Sequence, residues 1–404
     1  MLSFLSAGLL IFPGCNDRER DSLSESYPTV VQPPPQAGAP EIRVALLKDA
    51  SSVRVSAPAG GARIVLNGQP WRRLAPGTGV TIGTSGPTLL LEGQPVQTSS
   101  VRFESSAPDE GLKLNDHESA SALNISRLPG RPGLLAVAHL NLEEYLAGVL
   151  AGEVPYNRWH PEALKTQAVV SRTFALFEVR AHAKDLYDVE STIMSQVFTP
   201  GQKSIPVLNA ATSATRGQVL TSAGAIFPAY FHSTCGGETA PAAGIFPEFA
   251  HVRPLGGTVC PYCRQSPSYR WSATFSKEQI ATKLRGSIPS LGRIDSIVFM
   301  DSRGPIGAPA SELRRASTVQ IRHTNGVTNM QGNAFRLAVS PRDLKSLLVG
   351  QVVESGDSIS IAGGGYGHGV GLCQYGSQGM ATSGQPYTSI LGFYYPGATL
   401  TRMY

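Results

Sequence analysis

Charge is scarce in this chain. Asp, Glu, Lys and Arg supply 16% of its 404 residues, and the formal net charge is +5. A bias this mild, with no basic cluster interleaved with aromatics, is not the footprint of a nucleic-acid partner. A weakly positive surface suits an anionic polymer, but charge alone does not name one. No internal repeat recurs, and the regular strand–helix alternation of a parallel doubly wound sheet is missing. The apolar run Met1–Cys15 is too short for a membrane-spanning helix. What remains is a hydrophobic content of 41%, enough for a real core. The length suits one large domain or two intimate ones.

The chain begins Met-Leu-Ser-Phe-Leu-Ser-Ala-Gly-Leu-Leu-Ile-Phe-Pro-Gly-Cys15. An apolar run ending in Gly-Cys is the pattern of an export signal with a lipoprotein cleavage site, here with no Lys or Arg ahead of it. The expectation is an exported protein of the cell envelope, lipidated at Cys15 and touching a membrane only through that lipid. Residues 16–40 are polar, then proline-rich at Pro33-Pro-Pro35, and read as a disordered tether.

From Glu41 the pattern turns to short alternating runs such as Ile42–Leu47, Val53–Val55, Arg63–Leu66 and Thr88–Leu91, punctuated by Gly, Pro and Asn. They predict a β-rich part over 41–140. Helices are expected from Asn141, a capping residue, with Leu142, Tyr145, Leu146 and Val149 on one face. Pro161 at a first-turn position predicts a longer helix to about Ala183. Further helices are expected at 202–214, 277–284 and 340–348, with strands at 217–221, 229–232, 294–300 and 317–322. The fold class is α+β: mixed antiparallel sheets and helices around a substrate groove.

Cysteine is rare, five residues in all. Besides Cys15 and Cys373 there are His232-x-x-Cys235 and Cys260-x-x-Cys263. Two such pairs offer four ligands to a tetrahedral structural zinc, because the tight Cys-x-x-Cys turn brings both sulfurs to one metal. An exported protein meets oxidising conditions, so a Cys260–Cys263 disulfide stays open as the competing reading. That bond leaves Cys235 alone and His232 without a task.

Glycine, by contrast, is concentrated. Gly363-Gly-Gly-Tyr-Gly-His-Gly-Val-Gly-Leu-Cys-Gln-Tyr-Gly376 surrounds His368, Gln374, Tyr366 and Tyr375. Glycine this dense costs folding entropy, so it needs a tightly turned backbone or a close approach. A linker rarely carries His, Gln and Tyr between Val370 and Leu372, so the segment reads as a ligand-contacting loop.

Three blocks resemble one family. They are Leu142-Glu-Glu-Tyr-Leu-x-Gly-Val149 through Gly152-Glu-Val-Pro155 to Ala163-Leu-Lys-x-Gln-Ala168 and Ser171-Arg-Thr173; then Tyr230-Phe-His-Ser-Thr-Cys-Gly-Gly-x-Thr239; then the glycine segment with Gly379-Met-Ala381 and Ile390-Leu-x-x-Tyr-Tyr-Pro-Gly397. In this order they are similar to the stage II sporulation protein D family, which includes amidase enhancers and cell-wall lytic transglycosylases. The resemblance implies a catalytic region over 141–404 and peptidoglycan glycan strands as substrate.

Glycan cleavage needs a group that protonates the leaving glycosidic oxygen. A hydrolase pairs two carboxylates, whereas a lytic transglycosylase can use one, because the sugar's own 6-hydroxyl is the nucleophile. Glu153 sits at a helix-to-loop break just before Pro155, and the resemblance makes it the acid/base that yields 1,6-anhydro ends. Lys165 and Arg172 lie two turns apart on one helix face. They are expected near Glu153, as substrate-binding cations or as an ion pair joining two elements. Glu143, Glu144 and Glu162 read as surface or capping residues. His368, Gln374, Tyr366 and Tyr375 complete the sugar-binding set, the tyrosines by stacking. Cys373 replaces the family's usual Ser. Two alternatives stand beside catalysis: a non-catalytic module that stimulates a cell-wall amidase, and a peptidase or amidase using zinc or a Cys373/His368 pair. No organic cofactor is implied.

Overall fold

The computed structural model describes residues 38–404 apart from 108, 203 and 301–314. The signal with Cys15, and residues 16–37 of the tether, lie outside the described residues. The chain forms two compact units. The N-terminal unit runs to Thr221 and takes in Ile226–Pro228 and Leu400–Tyr404; the C-terminal unit is Ala229–Thr399 with Ser222–Ala225. Mixed α+β is the architecture.

In the N-terminal unit a seven-stranded sheet has the order Val189–Glu190, Glu41–Ala50, Leu134–Asn141, Ala122–Arg127, Ser100–Ser105, Ala62–Leu66, Gln69–Leu74. Every pairing is antiparallel except the first. A six-stranded sheet holds Ser52–Ser56, Gly79–Ser85 and Thr88–Leu91. The period-two alternation sends Val101 and Phe103, Leu123 and Ile125, Val53 and Val55 inward to one core. Helix α1, Leu142–Glu153, adds Leu142, Tyr145, Leu146 and Val149 to that same core. The β-rich part and the first helix are therefore packed as one body, and the compact units do not part at 140.

Asn141 caps α1, its side chain accepting from the Glu143 N–H at 2.9 Å. Helix α2, Pro161–Ala181, begins with Pro161 in its first turn. Helix α3 is Pro206–Ala214, shorter than the 202–214 expected, because Pro206 takes a first-turn position. Leu150 and Val154 of the α1 end, Leu164 and Ala168 of α2, and Leu208 and Ala211 of α3 close a second, smaller cluster.

The C-terminal unit contains two three-stranded antiparallel sheets. One has the order Arg270–Ser276, Ser358–Gly364, Val349–Ser355; the other Ile294–Met300, Thr318–His323, Gly326–Gln331. Helix α4, Lys277–Leu284, starts at the expected residue with a Ser276/Gln279 capping box. The helix expected at 340–348 is absent. Helix α5 lies just before it, Gly332–Val339, capped by Gln331 and burying Phe335 and Val339. Pro341 lacks the N–H that would continue that helix. Residues 340–346 are turns and loop. Helices α6, Gln374–Thr382, and α7, Tyr387–Tyr394, end the unit. Among the described residues, no helix is long and apolar enough to cross a membrane.

Candidate functional site

Glu153 is the last residue of α1. Its Oε1 accepts the backbone N–H of Val197 at 2.7 Å. The segment around Val197 can lie this close because α1 presents glycine there. A side chain on Gly152 would stand 2.6 Å from the Val197 carbonyl oxygen, and one on Gly148 would collide with the Phe198 ring. These two glycines are one helical turn apart and face the same way. The segment is fastened further: Tyr145 stacks on Phe198 at 5.1 Å, and its hydroxyl donates to Gln196 at 3.0 Å. Burial, then the nearby Glu153 charge, pushes the Tyr145 phenol well above its usual range. Glu153 thus sits on a packed platform with a partly exposed side. Gln196 and Val197, which position it, carried no motif signal. The glycines spaced four apart inside an apolar helix were the available clue.

The two cations do not serve Glu153 together. Arg172 is fully buried, and its guanidinium meets Glu143 edge-on through Nε–Oε1 at 2.9 Å and Nη2–Oε2 at 2.8 Å. It also donates to the carbonyls of Thr212 and Gln218. Glu143 accepts from the Tyr404 hydroxyl at 2.7 Å as well. Arg172 therefore ties α1, α2, α3 and the Gln218–Ser222 strand, and its burial keeps it from substrate. Correspondingly Glu143 is no surface carboxylate. Burial alone raises its pKa, but the Arg172 bonds outweigh it, and the value is lowered. Lys165 is half-exposed and pairs with Glu162 one turn earlier, at 2.7 Å.

The glycine segment is tightly turned as expected: Gly365, Gly367, Gly369 and Gly371 all have φ between 72° and 104°. The surface it approaches is the chain's own backbone. A side chain on Gly365 would stand 2.6 Å from the Thr234 carbonyl, and one on Gly371 would strike the Tyr230 carbonyl. Phe231–His232 pairs in parallel with Leu372–Cys373, and Thr234 bridges Tyr366. The second and third sequence blocks are thereby one packed element.

That packing removes His368 from sugar binding through its nitrogens. Nε2–H donates to the Phe231 carbonyl at 2.8 Å, and Nδ1 accepts the Val370 N–H at 3.1 Å. An edge of the residue reaches solvent, yet the surrounding protein and then the Arg336 charge hold its pKa down to about 3. A neutral ring is what both bonds require. Gln374 is buried at the start of α6, whereas Tyr366 and Tyr375 remain partly exposed. Glu153 belongs to the N-terminal unit, and these loop residues belong to the C-terminal one.

The sulfur atoms gather in a different set from the one spacing suggested. Cys235, Cys260, Cys263 and Cys373 are fully buried, none is in a disulfide, and their Sγ atoms all lie within 4.8 Å of one another. His232 is not among them. Its Nδ1–H donates to the Val370 carbonyl at 3.1 Å and its ring faces His368. Strand pairing directs it there, and Cys373 takes the fourth place. Burial pushes the Cys373 thiol well up, and its sulfur accepts N–H groups of Cys235 and Gly376. This is no arrangement for a Cys373/His368 nucleophile.

A mixed α+β protein with a carboxylate at the end of α1 and a glycine-bound second element is thus defined. The family model described as stage II sporulation protein matches residues 131–222, the stretch that carries α1, α2 and Glu153. An uncharacterized protein of Brachyspira hyodysenteriae is 32% identical over 293 residues, 72% of this chain and 74% of that one. Stage II sporulation protein D of Bacillus subtilis is 28% identical over 340 residues, 78% of this chain and 91% of its own length. The amidase enhancer of Bacillus subtilis is 26% identical over 302 residues, 63% of this chain but 40% of that protein. The chain belongs to the stage II sporulation protein D family.

Proposed function

We propose that this protein acts on the cell wall and cleaves peptidoglycan glycan strands by lytic transglycosylation, with Glu153 as the single acid/base. The supporting observation is the placement of Glu153 at the end of α1, its carboxylate fixed by the Val197 N–H and its position that of the glutamate in the family's Gly-Glu-x-Pro block. The protonated carboxyl donates to the glycosidic oxygen as the C1–O bond breaks. The resulting carboxylate takes the proton of the 6-hydroxyl, which closes on C1. No water is consumed, and the product ends in a 1,6-anhydro sugar. One carboxylate suffices for this cycle, because it returns to its starting form. Lys165, partly exposed on the first turns of α2 and paired with Glu162, presents a cation to substrate, and Tyr366 and Tyr375 offer faces for sugar stacking. The working place is the cell envelope.

Incubation with glycan strands stripped of stem peptides, followed by mass spectrometry, tests the reaction. Anhydro-ended fragments are expected. Reducing ends would mark a hydrolase and overturn the single-carboxylate cycle. Glu153→Gln keeps the shape and removes the titratable proton, so turnover should fall about 10²–10⁴-fold with strand binding retained. Wild-type turnover by that variant would remove Glu153 from the chemistry. The second reading, a glycan-binding module that stimulates an amidase, is favoured by the amidase enhancer among the relatives. It predicts no products from the pure protein and faster cleavage by an added amidase.

A further inference from the structure

We propose that Cys235, Cys260, Cys263 and Cys373 together hold one structural zinc ion, and that this ion clamps the glycine-rich segment to the two cysteine segments. The three segments come from distant parts of the sequence: Cys235 follows the Phe231–His232 strand, Cys260 precedes and Cys263 ends a single helical turn, and Cys373 is the capping residue of α6. Four thiolates around zinc at about 2.3 Å place neighbouring sulfurs about 3.8 Å apart. The sulfurs here fit that edge: all lie within 4.8 Å, and Cys235 and Cys263 are 3.4 Å apart. A cluster of several irons needs its cysteines on separate metal atoms and hence more widely spread.

The surroundings are those of a thiolate centre. The Cys373 sulfur accepts the N–H groups of Cys235 at 3.2 Å and Gly376 at 3.3 Å. The Tyr394 hydroxyl lies 3.1 Å from the Cys260 sulfur. Such outer bonds orient metal-bound sulfur and spread its charge. A side chain on Gly376 would strike the Tyr394 hydroxyl and stand 2.9 Å from the Cys260 sulfur, which accounts for glycine at that position. Zinc with four thiolates carries two net negative charges, and an isolated buried charge is costly. The Arg315 guanidinium supplies a cation beside the cluster, donating to the Cys235 carbonyl at 2.6 Å. With four sulfurs bound, zinc has no open position, so the centre is structural and hydrolytic zinc chemistry does not arise from it. Its function is to fix the start of α6, and with it Tyr375, independently of what Glu153 does.

The test uses the full chain purified under reducing conditions. One zinc per chain by elemental analysis is expected, and cobalt(II) in its place should give the intense sulfur-to-metal absorption of four thiolates. Cys373→Ser should raise the zinc Kd by roughly 100-fold or more, while His232→Ala leaves it within a few-fold. Hydrogen exchange of the wild-type protein, which does not depend on variants folding, should rise around 365–380 on metal removal and stay unchanged over 142–181. Full zinc retention in Cys373→Ser with loss in His232→Ala would overturn the ligand set. A metal-free protein four protons light in mass would establish two disulfides instead, and iron in the purified protein would overturn the choice of metal. None of these readouts depends on glycan cleavage, so failure here leaves the Glu153 reading standing, and the reverse.

Discussion

Each unit is fastened by a buried polar hub, and the two hubs differ in kind. The N-terminal hub is ionic: Arg172 and Glu143, joined by Tyr404 and by carbonyls of α3 and the strand that follows. The C-terminal hub is sulfur: four cysteines from three segments. The ionic hub is complete in the polypeptide itself, since a fork-shaped cation meets a two-oxygen anion. Four thiols at such short range are not complete in the same sense, and the zinc proposed above would complete them. The same helix also teaches a contrast within one motif. Glu143 and Glu153 lie at opposite ends of α1. The first is spent on a guanidinium inside the core, while the second is held by a backbone N–H at the helix end.

The comparison can be broken most sharply at Arg172. Arg172→Ala leaves Glu143 buried without its cation, and such breakage costs about 3–5 kcal/mol. Denaturant unfolding of the variant should show that loss with the zinc content unchanged. An equal loss of zinc would mean that the two hubs are not independent.

Acid should separate the hubs from the other side. The folded Glu143 carboxyl has a pKa below its usual value, so its contribution is fully present above about pH 4.5. It disappears as pH falls through the lower folded value. The Tyr404 phenol, pushed up by burial, stays neutral over this range. Acid unfolding curves of wild type and Glu143→Gln should therefore converge at low pH; parallel curves would remove Glu143 from the ionic hub. The smallest effect is expected for Tyr404→Phe, which deletes one hydrogen bond to the Glu143 carboxylate and should cost about 1.5–3 kcal/mol. Thermal unfolding measures it, and a larger loss would make Tyr404 part of the hub's core.

Much of the local architecture was legible in the residues. Asn141 and Pro161 marked helix starts, the helix expected at 277–284 is α4, and alternation marked the strands of the first sheet. Each signal is contained within a few residues, because caps, turns and face periodicity are set by neighbours in the chain. The end of α1 at Glu153, too, was readable from the helix-to-loop break before Pro155. The misplaced helix after Val339 shows the limit: Gln331 and the buried Phe335 decided it, and neither stood out in the sequence.

The rest was decided only in three dimensions. Sequence spacing put His232 with three cysteines, while the parallel pairing of Phe231–His232 with Leu372–Cys373 gave the fourth place to a sulfur far along the chain. Helix periodicity placed Lys165 and Arg172 on one face, but not which of them would meet a carboxylate from α1. The glycines of residues 363–376 announced a close approach without naming what approaches. The physical reason is common to all three. A side chain's partner across a long loop is chosen by sheet pairing and by the packing of whole elements. Those depend on the shape of the complete unit, so no window of neighbouring residues contains them.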